Sequence, residues 1–257
     1  MKKVEVILKP HNKEWKDIFQ IEAEKISDAL GDNCIEIHHI GSTSIPGIYA
    51  KPIIDIMPIV RDLGEVDQYN LNMENIGYAT KGECGFFMRR YFVKENAFHV
   101  HIFEQGNSEI DRHLKFKNWI INNLDDKNAY QKLKQQLATK YKYNLTAYAI
   151  AKTDFVSKIE EKSGWHGIRV CQAFTEDEWI EIKELHKKLN TGVQENNIQN
   201  NNENMHLLLF KQNQVIGYIH IKLQTDNPIN IVYIDKQYEN TKVYTYFRHF
   251  PINCVNS

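Results

Sequence analysis

Asp55 stands among Ile53, Ile54 and Ile56 in an otherwise apolar run. An unpaired carboxylate buried there is costly, so it needs either a neutralising partner or an opening onto a site. Just upstream, His38–Gly47 reads HHIGSTSIPG, a Gly-Ser turn between two apolar runs. Free backbone N–H groups at such a turn, with the hydroxyls of Ser42, Thr43 and Ser44, can hold a phosphate. Taken alone, Gly41-Ser42 reads more readily as a structural turn than as a phosphate cradle. Asp55 alters the balance, because a carboxylate beside a phosphate cradle is the usual way to hold a divalent cation. Gly41, Ser42 and Thr43 are therefore candidate phosphate ligands, and Asp55 is a candidate metal ligand and catalytic group. The competing reading is an ion pair between Asp55 and Lys51, Arg89 or Arg90.

A second constellation is FHVHIFE. His99 and His101 are two apart on a strand pattern, so both point to one face. Two imidazoles on one face can ligate a metal or touch a phosphate, although packed, hydrogen-bonded strand histidines are commoner. His38 and His39 point to opposite faces, so at most one can join the site. Of Arg89 and Arg90, one can neutralise a phosphate while the other faces solvent. Lys51 and Lys152 are further candidates, and Lys152 could instead snorkel from an apolar helix to water.

The elements that must position these residues follow from periodicity. Val4–Leu8 alternates as a short strand. Asn12 can cap a helix that begins near Lys13 and runs to Leu30, closed by Gly31. Ile35–Ile40 is a strand, Gly41–Gly47 a loop, and Ile53–Val60 a strand buried on both faces. Leu63–Ile76 reads as a helix ended by Gly77. Phe86–Val93 and Phe98–Glu104 read as a hairpin across KENA. Ser108 and Asp111 resemble a helix start, and two further helices cover Lys127–Tyr141 and Leu145–Lys162. After Ser163-Gly164 a second unit begins with a strand at Ile168–Ala173. Thr175 and Glu178 then form a capping-box pattern for a helix to Leu189. NTGVQENNIQNNNEN is a polar, Asn-rich loop. Met205–Phe210 and Val215–Leu223 form a hairpin, and Ile229–Ile234 is a last strand. The expected organisation is one α/β (α+β) domain over residues 1–163, a mixed sheet with a helical tail, and a small partial α/β domain over 167–257.

The 257 residues carry a formal net charge of −1, which gives no global attraction to nucleic acid or an acidic membrane. Cys34, Cys84, Cys171 and Cys254 form no CxxC pair, which excludes a thiolate zinc site of the usual spacing. Scattered thiols fit a reducing, cytoplasmic setting. No apolar run is long enough for a membrane span, and the basic start MKKVEVILKP lacks the apolar stretch of a signal peptide.

HIGSTSIPGIYAKPIIDI, RRYFV, HVHIFE and RHLKFKNWI, with the opening VILKPHNKEWKDIFQIEAEKI and the tail YAIAKTDFVSKIEE, resemble the GrpB (UPF0157) family over about residues 2–162. The resemblance implies a fold of the DNA polymerase β-like nucleotidyltransferase type. In that superfamily a Gly-Ser turn precedes an acid-x-acid pair. Gly41-Ser42 and Asp55 match it, but Met57 replaces the second acid, and His99 or His101 stands where a third carboxylate is expected. This set is softer than the oxygen cage of Mg²⁺ and suits Zn²⁺, Mn²⁺ or Fe²⁺ better. The second half resembles part of a GNAT acetyltransferase in IRVCQAFTEDEWIEIKELHKKL, HLLLFKQNQVIGYIHIKL and INIVYIDKQYENTKVYTYF. That family's pyrophosphate loop carries two glycines, whereas Glu239-Asn240-Thr241-Lys242-Val243-Tyr244 carries none, so acetyl-CoA binding is not expected. The leading expectation is binding of a nucleotide or phosphorylated small molecule, with a divalent metal (Mg²⁺, Mn²⁺ or Zn²⁺) and nucleotidyl or phosphoryl transfer in view. The alternatives are a non-catalytic accessory module and a GNAT-type acetyltransferase. Homo-oligomerisation is left open.

Overall fold

A computed structural model of the chain describes residues 5–83, 88–95, 97–173, 176–189, 204–211, 214–222 and 229–236. The chain forms two compact units, one from residues up to His166 and one from Gly167 onward. No described helix is long and apolar enough to cross a membrane.

The first unit contains α1 (Glu14–Leu30), β1 (Cys34–Ile40), β2 (Ile54–Val60), α2 (Asn70–Asn75), β3 (Ala79–Thr80), β4 (Arg90–Lys94) and β5 (Phe98–Glu104). A helical tail follows, formed by α3 (Ser108–Asn122), α4 (Leu124–Lys140), α5 (Leu145–Ile150) and α6 (Thr153–Lys162). The strand order is β1-β2-β5-β4-β3. β2 and β5 are parallel, and the other pairs are antiparallel. β2 has a strand on each side, as its run, apolar apart from Asp55, requires. Strand alternation then sorts the side chains by face. Ile56, Val60, Phe92, Val100 and Ile102 pack with Ile26, Leu30 and Met73 from α1 and α2. Met57 and Phe103 pack with Ile40, Ile110 and Leu114, so α3 covers the opposite face. Asp55, His99 and His101 alternate with the first set and share the face of Met57 and Phe103.

Several expected elements differ. Residues 5–8 form no strand: Val6 N donates to Lys142 O, and Lys9, just beyond them, forms an isolated bridge with Ala50. The expected Leu63–Ile76 helix is a tight 3₁₀ segment, Gly64–Tyr69, followed by the short α2. Asp62 Oδ1 accepts from Gly64 N and Glu65 N, which starts the chain in that tighter turn. β4 begins at Arg90, and the expected start at Phe86 lies outside the described residues. Asn107, one residue before the expected Ser108, caps α3 through its side chain. α4 begins at Leu124, three residues before the expected Lys127. The expected Leu145–Lys162 helix is broken at Ala151-Lys152 into α5 and α6.

The second unit contains β6 (Ile168–Gln172), α7 (Glu176–Leu189), β7 (Asn204–Lys211), β8 (Gln214–Lys222) and β9 (Ile229–Ile234). The strands form an antiparallel sheet in sequence order, with Ile182 and Leu185 of α7 packed on Leu208 and Tyr218. The Asn-rich stretch and the Glu239–Tyr244 loop of the GNAT resemblance lie outside the described residues.

Candidate phosphate and metal site

The site begins at Gly41, which follows β1 with φ at +69°. A Cβ on Gly41 would lie 2.1 Å from Asp55 Oδ2, so the backbone can approach the carboxylate only because this residue is glycine. Ile40 pairs with Asp55 across β1–β2, which fixes turn and acid side by side. The Thr43 and Ser44 hydroxyls are engaged within the loop. Thr43, 2% exposed, donates from Oγ1 to Ile53 O at 3.1 Å and lies 3.0 Å from His39 Nε2. Ser44 Oγ donates to Gly41 O at 2.7 Å. Thr43 is thus a buried brace and not a ligand-facing hydroxyl, while Ser42 Oγ faces Tyr130 Oη at 3.5 Å.

Parallel pairing sets Asp55 opposite His99, with His101 two residues on. Asp55 Oδ1 lies 3.6 Å from His99 Nδ1 and 3.7 Å from His101 Nε2, with the Asp55 side chain 28% exposed. These separations exceed hydrogen-bond length. They come close to the ~3.3 Å edge of a tetrahedron with metal–ligand bonds of about 2.0–2.1 Å. One donor atom from each of the three residues lies within 4.8 Å of the others. Small movements would let this set hold a cation. Desolvation works to raise the Asp55 carboxyl, but the facing imidazoles of His101 and His99 outweigh it and hold it well below the usual carboxylate range. Burial pushes His101 down, against the pull of Asp55. Among the described residues, the carboxylate's ion-pair partners are these imidazoles and not Lys51, Arg89 or Arg90.

The two arginines separate by face, and both are buried, so neither faces solvent as expected. Arg89 lies over the Tyr91 ring at 4.5 Å and its Nη1 is 3.1 Å from His101 Nδ1, on the site face. Arg90 points to the other face and donates to both carboxylate oxygens of Asp67 at 2.7 and 2.8 Å. It is a structural ion pair, and the sheet keeps it away from the candidate ligands. His38 sits 3.2 Å from Glu36 Oε1. His39 stacks on Phe19, and burial, with Lys117 second, pushes it down to about 4. Neither belongs to the metal set.

The helical tail closes the site. Ile45 and Ile48 of the loop pack with Ile120, Tyr130 and Ile159. From α4, Gln131 Oε1 accepts from Tyr49 N and Lys134 Nζ donates to Tyr49 O at 2.5 Å. Lys134 is only 1% exposed and lies 4.7 Å from the Tyr130 ring centre. The break between α5 and α6 brings Lys152 over the Tyr148 ring at 4.6 Å, and Lys51 approaches the same ring at 5.8 Å. Two ammonium groups therefore approach the Tyr148 ring. Among the described residues none of the three lysines has a carboxylate within ion-pair distance; the field of Asp55 alone reaches Lys51 and Lys152. Burial, then the charge of Lys152, pushes Lys134 down to about 7. Lys134, Tyr130 and Tyr148 escaped the sequence reading. In a helix full of solvated lysines, the available signal was the place of Lys134 in the stripe Tyr130–Lys134–Leu137, at helical spacing.

A family model described as GrpB protein matches residues 5–162. The UPF0157 protein YqkA of Bacillus subtilis (strain 168) is 40% identical over 165 residues, 63% of this chain and 48% of that protein, so the chain spans about half its length. The UPF0157 protein BH1888 of Halalkalibacterium halodurans is 35% identical over 167 residues, covering 61% of this chain and 86% of that one. The crystal structure of the conserved protein GrpB from Enterococcus faecalis superposes with a TM-score of 0.59 at 38% identity, over 61% of this chain and 96% of that chain.

Proposed function

This chain belongs to the GrpB family, and from that premise we propose that its first unit binds a phosphorylated small molecule, foremost a nucleotide, together with a divalent cation. The observation that carries the reading is the lysine cluster. Lys134 lies against the Tyr130 ring, whose hydroxyl faces Ser42, and Lys51 and Lys152 lie against the Tyr148 ring; among the described residues Asp55 is the carboxylate whose field reaches Lys51 and Lys152. Lys134 is buried and Lys51 and Lys152 are half-buried, so their ammonium charge is disfavoured without a counterion, and an oligophosphate supplies the missing charge as charge-assisted hydrogen bonds. Asp55, His99 and His101 would hold the cation, which suits Zn²⁺ or Mn²⁺ better than Mg²⁺ and would supply Lewis-acid polarisation of a phosphoryl oxygen. Ser42 and the Gly41 backbone would receive the phosphate.

Metal-dependent nucleotidyl or phosphoryl transfer is the extended form of this proposal, in keeping with the nucleotidyltransferase-like resemblance. A binding module without turnover is the second reading, and one observation favours it. Met57, at the position of the second acid, is fully buried against Ile40 and Phe103, so a second carboxylate-bound metal has no ligand there. The second unit is proposed not to use acetyl-CoA, since its candidate loop lacks the glycines that let backbone N–H groups approach a pyrophosphate. The test is calorimetric titration of the chain with inorganic pyrophosphate and with ATP, each with and without Mn²⁺. Saturable binding that Mn²⁺ strengthens supports the proposal, and appearance of a nucleotidylated or phosphorylated product separates the two forms. Absence of binding under all four conditions refutes it.

A further inference from the structure

We propose that Arg89 decides whether His101 can ligate a cation, so that phosphate and cation occupy this site cooperatively. The inference rests on the reading of Asp55, His99 and His101 as the cation set and adds its regulation.

Arg89 is 5% exposed. Its Nε and Nη2 donate to Glu83 O at 3.2 and 3.0 Å, its plane lies over Tyr91, and its Nη1 reaches His101 Nδ1 at 3.1 Å. A guanidinium has donors only. His101 Nδ1 must therefore accept, and a neutral ring carries its one proton on Nε2. Nε2 is the nitrogen that faces Asp55 Oδ1 at 3.7 Å, and it is the atom the ring turns toward the shared cation position. With a proton there it has no lone pair to give. Ligation through Nε2 requires the proton to sit on Nδ1, where it would meet a guanidinium N–H head-on. The ring stays neutral in both arrangements, and only the nitrogen bearing the proton changes.

His101 can then become a ligand only when Arg89 leaves Nδ1. A phosphate arriving at Ser42 and the lysine cluster provides the attraction, because guanidinium–phosphate contacts are bidentate and charge-assisted. Once Arg89 turns to the phosphate, His101 is free to exchange tautomers and bind metal. By linkage the effect is reciprocal, with bound cation strengthening phosphate by the same factor. A metal without phosphate meets a two-ligand site; a metal with phosphate meets a three-ligand site.

Two variants separate this from a merely structural Arg89. Arg89→Lys keeps a donor-only group opposite Nδ1, whereas Arg89→Gln offers an amide oxygen that accepts from Nδ1–H. Mn²⁺ binding is read by loss of the free-ion electron paramagnetic resonance signal, with and without inorganic phosphate, after thermal melts establish that each variant folds. Wild type is expected to bind Mn²⁺ about tenfold tighter with phosphate, within the usual range of coupling. Arg89→Gln should bind Mn²⁺ that tightly with no phosphate present and gain little from adding it. Arg89→Lys should stay weak in the absence of phosphate. In the metal-free wild type, imidazole ¹⁵N spectra, with His101→Gln for assignment, should show the proton on Nε2. Equal Mn²⁺ affinity in wild type and Arg89→Gln in the absence of phosphate, or a proton found on Nδ1, overturns the inference while leaving the cation site standing. Failure of all three proteins to bind Mn²⁺ overturns the cation site and the inference together.

Discussion

Asp55 is the residue on which the sequence was most informative, because a carboxylate in an isoleucine run demands a reason. The structure gives it two imidazole neighbours and partial exposure. Asp55→Asn keeps the shape and removes the charge, so the fold should survive. Divalent cation binding should fall by more than about 100-fold, since even outer-shell partners are worth 10–100-fold. Mn²⁺ titration with parallel thermal melts checks this; a large drop in stability with unchanged Mn²⁺ affinity would make Asp55 structural. Lys134 was only weakly legible: the Tyr130–Lys134–Leu137 stripe marks a buried face of α4, but its partner Tyr49 carries no local signal. Its depressed value of about 7 has a definite sign. The unfolded chain binds more protons there than the folded one between about 7 and the ordinary 10.5, so this lysine adds stability as pH rises through that window. Anion binding favours the charged form, so pyrophosphate binding at pH 8 should take up protons. Calorimetry in buffers of different ionisation enthalpy measures that uptake. Lys134→Met should leave thermal stability at pH 7 unchanged or raised and weaken pyrophosphate binding by about tenfold or more, the weight of one charge-assisted hydrogen bond. A destabilised Met variant with unchanged binding would identify Lys134 as only a clamp on Tyr49.

At the scale of elements, the turn after β1 and the pairing of β2 with β5 do the positioning. Gly41 holds a left-handed backbone against the Asp55 carboxylate. Gly41→Ala should cost about 1–3 kcal/mol from the backbone conformation alone, and it should also displace Asp55, so urea melts and Mn²⁺ affinity should suffer together. Loss of stability with intact cation binding would mean the turn does not set the site. The strands near the site were legible, since alternation and an unbroken apolar run encode their faces directly. His99 and His101 were correctly expected on one face for that reason. The irregular pieces were not legible. The break at Ala151-Lys152 has no proline or glycine to announce it, yet it brings Lys152 to Tyr148. Arg89 and Arg90 were separable by alternation, but which of them met the site depended on Asp67, a partner from a distant tight turn.

On the scale of the whole molecule, the candidate site draws every residue from the first unit, and the family match covers the same stretch. A fragment ending at His166 should therefore fold and bind pyrophosphate with the affinity of the full chain. Comparison of melts and titrations for the two forms tests this, and loss of binding in a folded fragment would give the second unit a part in the site. The sequence places the start of a second unit after Ser163-Gly164, and the compact units divide at His166 and Gly167. The central claim is that an anionic ligand completes the lysine cluster with help from a cation at Asp55. The most direct measurement is titration of wild type, Asp55→Asn and Lys152→Ala with pyrophosphate, each with and without Mn²⁺. The expected result is saturable binding in wild type that Mn²⁺ tightens, no Mn²⁺ effect in Asp55→Asn, and weaker binding at every Mn²⁺ level in Lys152→Ala. Pyrophosphate affinities that are the same in all three folded proteins would contradict it.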